Sequence, residues 1–220
     1  LLLAIDASID FPFFLRIPEW AIGATVQIDQ SAPVKAQPGQ LYQVNIRMGR
    51  STVRLILPME FRIQRRYNNA ISIYRGPLLY VLKYSHTPQH ANIFTNYISN
   101  TLSMDEKWVQ LKHYAFNSSD WQIDPITPWN YALKVDVNNP SASIQFFSSN
   151  TIGPLPFSSN GTPVKAVVQG RLLPSWGIVD NAAAPPPPSP VTSSAPLERL
   201  VLVPYGAARL RIAEFPLLVN

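Results

Sequence analysis

Two pairs of ionisable side chains stand at spacings that could serve a reaction. Asp120 and Asp124 flank Trp121 and lie four residues apart. Two carboxylates facing each other across a cleft are the usual machinery of glycoside hydrolysis, and a spacing of four places them on one face of a helix. Pro125 and its surroundings oppose a helix, so the pair is expected in a surface loop. His86 and His90 have the same spacing, which serves zinc on some helices. Pro88 stands between them and breaks that geometry, leaving a solvated loop as the expectation. No Gly-rich phosphate loop and no Gly-x-Ser-x-Gly elbow is present, and no serine has a signature partner.

Aromatic residues offer a second chemistry, stacking on sugars. Trp108, Trp121 and Trp129 fall in a loosely patterned stretch and are candidate sugar contacts, whereas Trp20 directly follows a strand-like run and is expected in a core. Asn117-Ser118-Ser119 and Asn160-Gly161-Thr162 are N-glycosylation sequons at Asn117 and Asn160; they lean towards secretion, and Pro163 weakens the second.

Charge and composition narrow the field. The net charge is +5, and seven of the eighteen cations lie between Arg47 and Arg75, opposed there by Glu60 alone. Without an RNA-binding or helix-turn-helix motif beside them, a solvated sheet face is expected rather than a nucleic-acid surface. The chain has 220 residues, 46% of them hydrophobic, with 22 prolines and no cysteine. Proline at one residue in ten argues against long helices. The missing cysteine excludes disulfides, thiolate nucleophiles and cysteine zinc sites within the chain. No apolar run approaches the length that a membrane-spanning helix needs. The opening residues lack both a methionine and a basic signal-peptide start, so the chain reads as a piece of something longer.

The elements that must carry these residues read as strands. Phe13, Leu15 and Ile17 alternate with Phe14 and Arg16 up to Pro18, and Val26 and Ile28 alternate with Gln27 and Asp29. Gln37-Pro38-Gly39-Gln40 is a turn signal before the run 41–47. Strands are expected at 53–57, 61–65, 70–74, 78–83, 131–137, 143–147, 164–169, 200–203 and 208–215. The Pro-rich stretch 181–196 favours an extended conformation and is expected to be a crossing loop, because too few residues follow it to fold alone. The fold class expected from this pattern is all-β, a β-sandwich or barrel.

Four stretches together resemble one family. They are Phe14-Leu15-Arg16-Ile17-Pro18-Glu19-Trp20-Ala21, Leu57-Pro58-Met59-Glu60-Phe61-Arg62, Tyr74-Arg75-Gly76-Pro77-Leu78-Leu79-Tyr80, and Leu202-Val203-Pro204-Tyr205-Gly206 with Leu210 to Pro216. They are similar in order and spacing to the C-terminal half of glycoside hydrolase family 127, the β-L-arabinofuranosidase-like proteins. Pro174-Ser175-Trp176 and the Pro-rich run look like its fungal branch. The resemblance implies two jelly-roll-like β-sandwich domains, at 1–68 and 69–220 with the first incomplete, behind an N-terminal (α/α)6 barrel that holds the active site, with a cysteine nucleophile on zinc kept by further cysteines and a glutamate. None of those residues can be placed on a chain without cysteine, so zinc is expected only in the barrel, and this chain is expected to be inactive alone. The family's tryptophan and Gly-Asp turn are missing at Arg47 to Val53, where a shortened hairpin is expected. Its implied partners are the barrel and arabinose-containing glycans, with no nucleic acid and no membrane. A stand-alone carbohydrate-binding or protein-interaction module is the alternative, and a truncated gene product without activity is a third.

Overall fold

A computed structural model of the chain describes residues 1–83, 106–113, 119–125, 127–158, 161–180, 182–208 and 210–219. Among the described residues the protein is nearly all β, with 48% strand and 6% helix. Among the described residues no helix is long and apolar enough to cross a membrane. The chain divides into two compact units, Leu1–Glu60 and Phe61–Asn220.

The first unit holds β1 (Leu2–Ala7), β2 (Phe11–Arg16), β3 (Thr25–Ile28), β4 (Val34–Lys35), β5 (Leu41–Ile46) and β6 (Gly49–Ile56). One sheet has the order β1-β6-β3-β4 and the other pairs β2 with β5. Period-two patterning sends Leu15, Ile17, Val26, Val44, Ile46, Val53 and Leu55 into one shared core. The Pro38-Gly39 turn forms as its residues dictate. Gly39 has a φ of 81°, a region open to glycine, and its N–H donates to the Ile17 carbonyl. Trp20 departs from expectation. It is only partly buried, packed on the rim of this core, because the chain turns away at Pro18 and it is Ala21 that enters the interior. The stretch at Arg47 and Met48 is not a hairpin either; β5 and β6 belong to different sheets, so these two residues carry the chain from one sheet to the other.

The second unit contains β7 (Phe61–Arg65), β8 (Ile71–Arg75), β9 (Leu78–Lys83), β10 (Glu106–His113), β11 (Ser119–Pro125), β12 (Tyr131–Lys134), the four-residue helix α1 (Pro140–Ser143), β13 (Gln145–Ser148), β14 (Val164–Leu172), β15 (Ile178–Val179), β16 (Ala182–Ala183) and β17 (Leu197–Pro204). A sheet of seven strands runs β12-β14-β17-β9-β8-β7, with β13 also paired to β14, and it curls into a half-barrel. Along one edge β14 is shared: its residues 164–167 pair with β13 and its residues 169–172 with β12. Inside the curl Ile71, Ile73, Tyr80, Leu133, Val168, Leu202 and Phe215 form the main core, while Val81, Val203, Ala207 and Ala208 cluster separately. The sequence boundary expected after residue 68 differs from this division, because β7 pairs with β8 through five consecutive residues and so joins the second unit.

The end of the chain folds back, as the sequence leads one to expect. Main-chain bridges join Phe215 to Ile71, Ile212 to Leu82, Leu217 to Leu133 and Leu218 to Val191. The Pro-rich run is fastened at intervals. The amide of Asn68 donates to the Pro186 carbonyl (2.8 Å), the indole of Trp176 to that of Ala184 (2.8 Å), and the Ser193 hydroxyl to that of Leu172 (2.6 Å). Arg171 holds the Ala195 carbonyl as well. A run anchored this way is a crossing loop of the domain.

Candidate functional site

The ionisable pairs found in the sequence fare differently. Asp120 and Asp124 lie on β11, a strand rather than the expected surface loop, in register with Lys112 and Lys107 of β10. The proline that rules out a helix does not prevent an antiparallel hairpin, where Pro125 is the terminal strand residue. His86, His90 and both glycosylation asparagines, Asn117 and Asn160, lie outside the described residues. Trp108 and Trp121 lie on β10 and β11, two registers out of line with each other: Trp108 opposes Ile123 and Trp121 opposes Gln110. Trp129 is a core residue. It retains 9% of its exposure and meets Trp176 edge to face, with ring centroids 5.2 Å apart, a favoured geometry for aromatic pairs.

The basic run divides between the units. Arg47, Arg50 and Arg54 are exposed in the first unit, while Arg62, Arg65, Arg66 and Arg75 belong to the second. Each of the latter four has local work. Arg62 lies 4.2 Å from the centroid of the Tyr74 ring, and Arg75 3.6 Å from that of Phe146, both within reach of the ring quadrupole. Arg65 donates to the Asn69 carbonyl, and Arg66 pairs with Glu214 at 2.8 Å.

The four family-like stretches occupy framework positions. Ile17 and Ala21 are core residues of the first unit. Gly76 and Pro77 make the two-residue turn joining β8 to β9. A primed hairpin turn asks for positive φ at its first central position, and Gly76 has a φ of 55°. Pro204 closes β17, Tyr205 to Ala207 form a single 3-10 turn, and Arg211 covers the Tyr205 ring at 3.6 Å. Pro174-Ser175-Trp176 is a tight turn held by Asn130, whose side-chain amide donates to the Leu173 and Trp176 carbonyls at 2.8 and 2.9 Å. Asn130 gives no signal in the sequence, since a lone asparagine beside a tryptophan carries no pattern.

A polar cleft of about 520 Å³ opens on the outer side of the curled sheet, lined chiefly by Lys134, Ser143, Gln145, Val167, Gln169 and Arg199. Its floor follows from strand register. Lys134 of β12 pairs with Gln169 of β14, which pairs with Arg199 of β17, so the three stand in one row across adjacent strands. Neighbouring strands are about 4.8 Å apart, so the row is roughly 10 Å long. All three are exposed, and the next residues along, Leu133, Val168 and Leu200, are buried on the other face. Gln145 stands beside Val167, and its side-chain carbonyl accepts from Arg199 at 3.3 Å. Ser143 accepts from the Asp136 N–H at 2.9 Å, and the Asp136 carboxylate takes the N–H groups of Asn138 and Asn139. Phe147 is 49% exposed. It lies two residues beyond Gln145 on β13 and so on the same face.

The opposite face of the same strands shows a different electrostatic setting. Tyr131 donates to Glu198 Oε2 at 3.2 Å. Burial, reinforced by the Glu198 carboxylate, pushes its phenol up to about 12. Burial likewise raises Tyr80 to about 12, against an opposing pull from the Arg75 charge. A folded pKa above the unfolded one means that the native state keeps its proton longer. The associated stability is complete below about pH 10 and is lost as pH rises towards 12. An ultraviolet phenolate titration should therefore show at least two of the nine tyrosines ionising near pH 12, coincident with unfolding. Ionisation of all nine near pH 10 with the fold intact would contradict this.

Among the described residues, no group of three His, Asp or Glu is placed to hold a metal ion. With no thiolate in the sequence either, the cysteine-rich zinc set that the resemblance implies does not fit this chain. No protein-family model matches the chain, and no curated protein matches it.

Proposed function

We propose that the chain is the non-catalytic β-sandwich portion of a glycoside hydrolase 127-like protein acting on arabinose-containing glycans, and that it braces an (α/α)6 catalytic barrel. The observation that supports this reading is the placement of the family-like stretches. They supply Leu15, Ile17 and Ala21 to the core of the first unit, and in the second unit the β8–β9 turn, the end of β17 and the fully buried Phe215. These are residues that make a framework. In such an enzyme the zinc-held cysteine chemistry belongs to the barrel.

The test combines an assay with a sequence. Purified chain, with zinc and reductant, is incubated with p-nitrophenyl α- and β-L-arabinofuranosides and with arabinan; no turnover above a heat-killed control is expected. Turnover that disappears in Asp120→Asn or Asp124→Asn would overturn the non-catalytic reading. The reading frame upstream of Leu1 is expected to encode a helical barrel with clustered cysteines and a glutamate. A frame without one would overturn the bracing role.

A further inference from the structure

The outer cleft has a composition that neither bracing nor folding explains. Its polar lining presents two cations, Lys134 and Arg199, two amides, Gln145 and Gln169, and one hydroxyl, Ser143, with no carboxylate. Among the described residues neither Lys134 nor Arg199 forms an ion pair with an acid. Asp136, which continues β12 past Lys134, is committed to capping the backbone before α1. Like charges gathered in a concave surface raise the local concentration of anions.

The neighbouring groups narrow the anion. Amide side chains present a donor and an acceptor together, which matches the hydroxyls of a sugar ring. Gln145 uses its carbonyl on Arg199 and so turns its NH₂ outward as a donor while keeping the guanidinium in place. Phe147 adds an exposed aromatic face further along β13; two strand residues span roughly 7 Å. The cleft volume, about 520 Å³, suits a short oligosaccharide. Nucleic acid would call for a longer basic track interleaved with several stacking rings.

We propose that this cleft binds the carboxylate-bearing unit of an acidic oligosaccharide, a uronate, with Lys134 and Arg199 on the carboxylate, Gln145 and Gln169 on ring hydroxyls and Phe147 beside the next sugar. The inference stands apart from the bracing role, because every residue lining the cleft lies outside the family-like stretches.

The experiment is titration calorimetry on the full chain with trigalacturonic acid, its methyl ester, inorganic phosphate and a short single-stranded RNA. Charge-assisted hydrogen bonds are the strong ones, so the ester should bind at least about tenfold more weakly than the acid. The double variant Lys134→Gln/Arg199→Gln should lose about the same factor with an unchanged melting temperature, whereas Arg50→Gln/Arg54→Gln in the first unit should keep its affinity. Equal binding of acid and ester, which needs no variant to fold, would overturn the proposal. So would no binding of the acid at about 10 mM, or full affinity in Lys134→Gln/Arg199→Gln. Tighter binding of RNA or phosphate than of trigalacturonate would replace the sugar site with a general polyanion surface. None of these outcomes bears on arabinofuranoside turnover, so the two readings fail separately.

Discussion

Phe215→Ala should lower the stability of the second unit by about 3–5 kcal/mol, the usual loss for removing a large ring from a closed core. The ring has no solvent exposure and lies in the main cluster with Ile71, Tyr80, Leu133 and Leu202. Its backbone exchanges two hydrogen bonds with Ile71, at 2.8 and 2.9 Å, which the substitution leaves available. The loss is therefore a side-chain effect: transfer of the ring out of the core, plus the cavity it leaves. Set against a typical domain stability of about 5–15 kcal/mol, it should move the thermal midpoint by roughly 10 °C. Near-ultraviolet circular dichroism is a suitable monitor, because the Trp129–Trp176 pair belongs to the same cluster. An unchanged midpoint would mean that the tail does not close this core.

Gly170→Val is expected to be nearly as damaging, for the opposite reason. Gly170 lies in β14, between Leu133 of β12 and Glu198 of β17. A Cβ there would meet the Ala132 carbonyl at 2.8 Å and Leu200 Cδ1 at 2.6 Å. The leucine can turn, but the carbonyl belongs to the strand paired with β14 and cannot retreat without opening the ladder. Overpacking of this kind costs about 1–3 kcal/mol for small additions; alanine should fall in that range and valine above it. The readout is the urea midpoint, falling with little change in slope. A midpoint unmoved by Gly170→Ala would show room between the strands that the geometry denies.

Local physics makes much of this fold legible. Alternation in Phe13 to Ile17 and at Val26 and Ile28 is a direct image of two-faced strands. Pro38-Gly39 and Gly76-Pro77 are turns for stereochemical reasons contained in the residues themselves. Where the pattern is weak, the strands are hidden: β10 and β11 carry Trp, Lys, Gln and Asp without a repeating apolar face, and read as loop. The beginning of β6, Gly49-Arg50-Ser51-Thr52, escapes notice because its one inward residue, Ser51, is polar. Trp20 shows a further limit. Hydrophobicity says that a ring will be covered, but a proline two residues earlier decides how far it enters. The cleft leaves no trace at all. Lys134, Gln145, Gln169 and Arg199 come from four strands far apart in the chain, and only the register of β12, β13, β14 and β17 brings them together.

The return of residues 212–219 onto Ile71, Leu82, Leu133 and Val191 also sets a timetable. A ribosome delivers β7 to β9 first, yet their neighbour in the sheet, β17, is translated more than a hundred residues later, and the tail later still. Until then β9 has an unfilled edge and the slot for Phe215 stands open to water. Contacts so distant along the chain make for slow folding and for a long interval in which strand edges are exposed. The second unit should therefore lean on chaperones during synthesis more than the first, whose strands all lie within the short span Leu1–Glu60.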